Sequence, residues 1–227
     1  MKRRHPWLHR LAWLRRNRCS LLLGWLCLLI LGNPAFGDTH GGYQLLCVAL
    51  VMILVLATWA LRLPRTVMIG VVILALTTGA VVLTVPDDHH WMRPVANITM
   101  ALFNGVVTVA VLRYVLDPRL ITTDKVFGAV SAYVLIAITF ACIFGLVQFL
   151  DPQSFYIAQA NNPDGRLTWS DLMYFSFTVL TSTGFGEITP VTPMARSLIV
   201  IEQVLGVMYV AFLVARLANL YGLKVRR

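Results

Sequence analysis

Thr178-Val179-Leu180-Thr181-Ser182-Thr183-Gly184-Phe185-Gly186-Glu187 is the stretch that decides the fold. Two glycines alternate with other residues directly after a short apolar run. Glycine takes positive φ at little steric cost. Alternating such residues with ordinary ones turns successive carbonyls toward one side, and a carbonyl stack substitutes for the hydration shell of a monovalent cation. Gly184 and Gly186 permit that geometry. The Ser182 hydroxyl adds an oxygen at the inner end, and Phe185 is expected to point backward into a packing shell.

The run before it, Ser170–Thr181, has 12 residues. As a helix it is about 18 Å long, too short for a hydrocarbon core of about 30 Å. A re-entrant helix is the natural form, and it needs protein or water around it. Thr168-Trp169-Ser170-Asp171 fits a capping box, with Thr168 as cap and Asp171 as its carboxylate partner. If the helix enters from outside, its negative dipole end lies at mid-membrane and favours a cation there.

The rest of the chain is built for lipid. Of 227 residues, 58% are hydrophobic and 13% charged, against about 25% charged in soluble domains. The mean hydropathy is +0.75. An ordinary soluble enzyme is excluded, because no water-soluble fold buries that much apolar surface. The 19 Lys and Arg against 10 Asp and Glu give a net charge of +9. In a lipid-embedded chain this reads as cytoplasmic anchoring, not nucleic-acid binding. Cys19, Cys27, Cys47 and Cys142 lie in apolar runs without a CxxC pair, so neither a zinc site nor a disulfide framework is indicated.

Runs poor in charge mark six candidate spans: Cys19–Gly37, Thr39–Leu61, Thr66–Pro86, Pro94–Leu112, Val126–Leu150 and Ser197–Ala215, the last interrupted by Glu202. With the amino terminus inside, 16 basic residues fall inside and 3 (Arg93, Arg166, Arg196) outside. That asymmetry predicts six crossings with both termini cytoplasmic. The predicted organisation is a basic segment at 1–18, a four-span membrane part at 19–117, a pore part at 118–223 and a basic tail at 224–227. Asp117-Pro118 marks the middle boundary, since proline ends a helix there. Residues Pro6–Arg18 fit either an interfacial amphipathic helix or a simple positive anchor, and the apolar stretch up to Gly37 has a second reading as a cleaved signal peptide.

Ser182-Thr183-Gly184-Phe185-Gly186 resembles the pore signature of the potassium channel family, T-x-G-Y/F-G. The spans on either side look like the outer and inner pore helices, so the resemblance covers roughly 126–223. It implies an all-α transmembrane fold, a re-entrant pore helix, and a homotetramer in which each chain gives one filter strand. It implies potassium ions bound by Ser182, Thr183, Gly184, Phe185 and Gly186, with no other cofactor and no covalent chemistry. Tyr174 and Phe175 match the family's aromatic cuff, and Gly206, 22 residues after Gly184, matches its inner-helix hinge. Val207, Ala211, Val214 and Ala218 then line the inner cavity. The chain departs from the family at Ser182 (usually Thr), Thr183 (usually Val or Ile) and Glu187 (usually Asp). Thr178 stands where some members have a Glu that pairs with that acid.

The four preceding spans match six-span members in number only. The fourth has no arginine before Arg113 at its inner end, so conventional voltage dependence is expected to be weak or absent. No regulatory domain is expected after Leu223. Short loops and the lack of organellar signals suggest a bacterial inner membrane. Glu202, inside the sixth span, reads as a proton sensor, a tuner of cation access, or a hydrogen-bonded structural acid. Asp87-Asp88-His89-His90 reads as a solvated outer loop, and Asn97-Ile98-Thr99 as an accidental glycosylation motif. A nonselective cation channel and a nonconducting sensor or scaffold that keeps the pore fold are the alternatives.

Overall fold

The computed structural model describes residues 17–36, 42–60, 65–84, 93–117, 122–158, 165 and 167–225. The expected interfacial helix at Pro6–Arg18, apart from its last two residues, and the Asp87–His90 loop lie outside the described residues. The chain divides into two compact units, Met1–Ile136 and Ala137–Arg227.

The first unit begins with four helices: α1 (Arg18–Phe36), α2 (Gly42–Ala60), α3 (Arg65–Thr84) and α4 (Arg93–Leu116). Nineteen residues make a helix about 28 Å long. Each helix packs on the next in sequence, and α2 also meets α4. Leu22, Leu26, Leu54, Val71, Phe103, Val107 and Val111 are buried between them, while Leu31, Met52, Leu76 and Leu83 face outward. An apolar outer face is what lipid requires. Asn97 and Thr99 sit within α4, where the Thr99 hydroxyl back-bonds to Val95 O.

A fifth helix, α5 (Thr123–Leu150), starts in this unit and continues into the second. Its first turn is tied down by polar contacts. Asp124 Oδ1 accepts from Cys19 N at 2.8 Å and Ser20 N at 3.4 Å, so it caps α1 from another helix. Asp124 Oδ2 accepts from the Tyr114 hydroxyl at 3.2 Å. Lys125 Nζ donates to Asp117 O at 2.7 Å. First-turn N–H groups have no partner within their own helix, so an external carboxylate satisfies them and complements the helix dipole. Gly128 permits the close approach: a Cβ there would lie 3.0 Å from both Cys19 Sγ and Val115 Cγ2.

The second unit holds the inner part of α5, strand β1 (Phe155–Ile157), α6 (Trp169–Leu180), strand β2 (Ile188–Pro190) and α7 (Pro193–Val225). The described elements are otherwise helical, in keeping with the all-α class read from the sequence. β1 and β2 pair antiparallel in the register Phe155↔Pro190, Tyr156↔Thr189, Ile157↔Ile188. Three-residue strands are too short to leave an alternating pattern in the sequence. α7 begins four residues before the predicted span, because Thr192 Oγ1 accepts from Ala195 N and Pro193 fits the first helical position.

Among the described residues, four helices are long and apolar enough to cross a membrane: Arg65–Leu83, Pro94–Leu116, Thr123–Leu150 and Pro193–Arg216. Arg18–Gly32 is a shorter apolar helix.

Candidate functional site

α6 has 12 residues and carries the capping box read from the sequence. Asp171 N donates to Thr168 Oγ1 at 3.2 Å, and Thr168 N donates to Asp171 Oδ2 at 2.8 Å. At its other end the helix does not simply stop; it holds the glycine-bearing strand. Thr178 O accepts from Thr183 N at 2.8 Å and Gly184 N at 3.3 Å, and Val179 O accepts from Ser182 N at 2.9 Å. The last carbonyls of a helix lack intrahelical partners. Here the following loop satisfies them by folding back.

The backbone of that loop alternates. Ser182 has φ 56°, Gly184 φ 56° and Gly186 φ 86°, while Thr183 and Phe185 keep negative φ. The two glycines adopt this without penalty; Ser182 does so at a cost of about 1–2 kcal/mol. The alternation therefore reaches one residue pair further inward than the glycines alone predict. Residues 182–186 are all exposed in the single chain. On the far side, β1 and β2 clasp the loop's exit, and Ala158 N donates to Glu187 O at 2.8 Å.

The predicted supporting residues separate into distinct roles. Tyr174 stacks on Phe185, with ring centroids 6.3 Å apart and planes 7° from parallel. Tyr174 and Glu187 border the same small cavity. Phe175 turns the other way, its ring packing on Phe144 and Phe155 at 5.3 and 5.5 Å. The Thr178 hydroxyl donates back to Phe175 O at 2.8 Å, so Thr178 supports the loop through its carbonyl and not through Glu187. Behind the loop lies a cavity of about 30 Å³, bordered by Thr178, Gly184, Glu187 and Gln203 among others, large enough for a water.

Thr181 was not singled out from the sequence. Its hydroxyl bonds Phe177 O at 2.7 Å and lies 2.8 Å from Thr183 Oγ1. Once the Thr181 proton goes to the carbonyl, Thr183 is the donor in the second contact. The residue at the family's Val or Ile position is thereby tied to α6.

α7 grips α6 at two points one helical turn apart. Ser176 Oγ meets Glu202 Oε1 at 2.5 Å. Four residues on, Gly206 faces Leu180, and a Cβ there would lie 2.1 Å from Leu180 O. Gly206 thus permits a close approach, and the helix runs unbroken through it. Ser176 and the Leu180 carbonyl carry no signal in sequence, since their importance comes only from what faces them. Val207, Ala211, Val214 and Ala218 are all exposed on α7, a face that the chain itself leaves uncovered.

Residues 129–222 match the model of a family described as ion channel. This stretch is similar to an ion channel. The match takes in most of α5, the α6–loop–β2 hairpin and nearly all of α7. It supports an ion-channel function for this stretch. No curated protein and no solved structure gives a significant match.

Proposed function

We propose that the chain is one subunit of a passive, potassium-selective channel. The carbonyls of Ser182, Thr183, Gly184, Phe185 and Gly186, with the Ser182 hydroxyl, replace the hydration shell of potassium. One observation carries this reading: positive φ at 182, 184 and 186 in a loop hung from the carbonyl end of a short capped helix. One chain supplies one strand with an exposed ion-facing side, so four copies enclose the path. The pore part spans 118–223, the four-span part 19–117, with both termini cytoplasmic in a bacterial inner membrane. Tyr174, Glu187 and Thr178 hold the filter from behind, while Val207, Ala211, Val214 and Ala218 line the inner cavity. Between Arg93 and Arg113, near its two ends, α4 carries no arginine, so opening depends little on voltage.

Flux into proteoliposomes under outward gradients of potassium, rubidium, sodium and lithium tests the proposal. Potassium and rubidium flux that barium blocks and Gly184→Asp abolishes is the expected result. Equal sodium flux overturns the selectivity. No flux under any gradient, in protein that still assembles, overturns the channel and favours a nonconducting scaffold.

A further inference from the structure

Glu202 is 0% exposed. Its Oε1 lies 2.5 Å from Ser176 Oγ, and the same hydroxyl lies 2.7 Å from Ala137 O on α5. Its Oε2 is buried with no hydrogen-bond partner. Three oxygens therefore meet at Ser176, and their protons can be counted. A hydroxyl carries one proton; a carbonyl and an ionised carboxylate carry none.

Were Glu202 ionised, the Ser176 proton would serve one contact and leave the other as two bare acceptors at hydrogen-bonding distance. With Glu202 protonated, both contacts close. Glu202 Oε1–H donates to Ser176 Oγ, and Ser176 Oγ–H donates to the Ala137 carbonyl. Oε2 is then a neutral carbonyl oxygen, far less costly to leave unpartnered than a buried charge.

The other titratable or charged groups on these elements of the second unit are Cys142 on α5, Asp171 and Tyr174 on α6, and Arg196, Tyr209 and Arg216 on α7, with Tyr221 and Lys224 at least about five turns beyond Glu202. None of them bonds Oε2 of Glu202. Asp171 is held by Thr168, Tyr174 stacks on Phe185, and Arg196 donates to Pro190 O. No described cation offsets a negative charge at this position.

We propose that Glu202 is a proton-binding site joining α5, α6 and α7, neutral in the conducting arrangement, and that loss of its proton breaks this three-helix joint and shuts conduction. The consequence for conduction rests on the channel reading above. The link to the filter is short. Ser176 lies two residues before Thr178, whose carbonyl holds Thr183 N and Gly184 N. A charge on Glu202 draws the Ser176 proton away from the Ala137 carbonyl and so disturbs the same helix turn that positions those two residues.

Two measurements on the full chain test this. Infrared spectra of the protein in liposomes are expected to show a protonated-carboxyl band at neutral pH that is absent from Glu202→Gln and fades as pH rises. Glutamine keeps the shape and can donate N–H to Ser176, so rubidium flux through Glu202→Gln should be nearly independent of pH. Wild-type flux should fall roughly tenfold per pH unit above the midpoint of the infrared titration. Absence of the band in wild type at neutral pH overturns the proton site. A Glu202→Gln channel that keeps the wild-type pH profile overturns its role in conduction. If wild type conducts nothing at any pH, the channel reading fails, and the infrared band still decides whether Glu202 holds its proton.

Discussion

Replacing Gly206 with alanine places a methyl carbon 2.1 Å from Leu180 O, 3.0 Å from Leu180 C and 3.1 Å from Leu180 Cδ1. Carbon–oxygen contacts settle near about 3.3 Å, so α6 and α7 must part by about 1.2 Å. The Leu180 side chain can rotate aside, but its carbonyl cannot, because it belongs to the last residue of a packed helix. Overpacking a core costs about 1–3 kcal/mol, and a backbone obstacle puts the cost at the upper end. The Ser176–Glu202 bond, one turn away, stretches by a similar amount and is lost, adding about 1 kcal/mol. The expected destabilisation is therefore about 4 kcal/mol. Thermal unfolding of the assembled protein in detergent reads the stability, and rubidium flux reads the filter. Gly70→Ala on α3 is the control, since nothing lies within 4 Å of a Cβ there, and it should change stability by less than about 1 kcal/mol. A Gly206→Ala protein with the unfolding temperature and flux of the Gly70→Ala control would refute the close approach.

Other positions give independent checks. Thr168→Ala removes the cap of α6 and should cost about 1 kcal/mol in thermal unfolding. Asp124→Ala orphans Cys19 N and the Tyr114 hydroxyl at once, so a loss of about 3 kcal/mol is expected, with Asp124→Asn milder because one acceptor remains. Ser182→Gly relieves the positive φ of a non-glycine residue and should stabilise the fold by about 1 kcal/mol. The same change deletes the hydroxyl at the inner end of the filter, so barium block should weaken while unfolding shifts upward.

Much of this protein is legible because its determinants are local. The helices α3 to α5 and α7 follow from long runs without charge, which allow little but a lipid-facing or buried helix. The capping box at Thr168 and Asp171 is a four-residue pattern whose partners are neighbours in sequence. Gly184 and Gly186 announce positive φ because no other residue adopts it so freely. Ser182 joins them only because α6 and the β-ribbon over-determine the loop between them.

What the sequence by itself determined is the lipid-embedded helical class, the short capped helix and the glycine alternation after it, since each depends on composition or on residues within one turn. What only the tertiary structure decided is which side chains act on that loop. Thr178 turns out to act by its carbonyl, and Tyr174 takes Phe185 as its stacking partner. Gly206 is needed by Leu180, and Glu202 meets Ser176 and, through it, Ala137. Those pairings join residues as much as 39 positions apart. The physical reason is that a hydrogen bond or a steric contact is a property of two surfaces meeting, and one strand of sequence specifies only one of them.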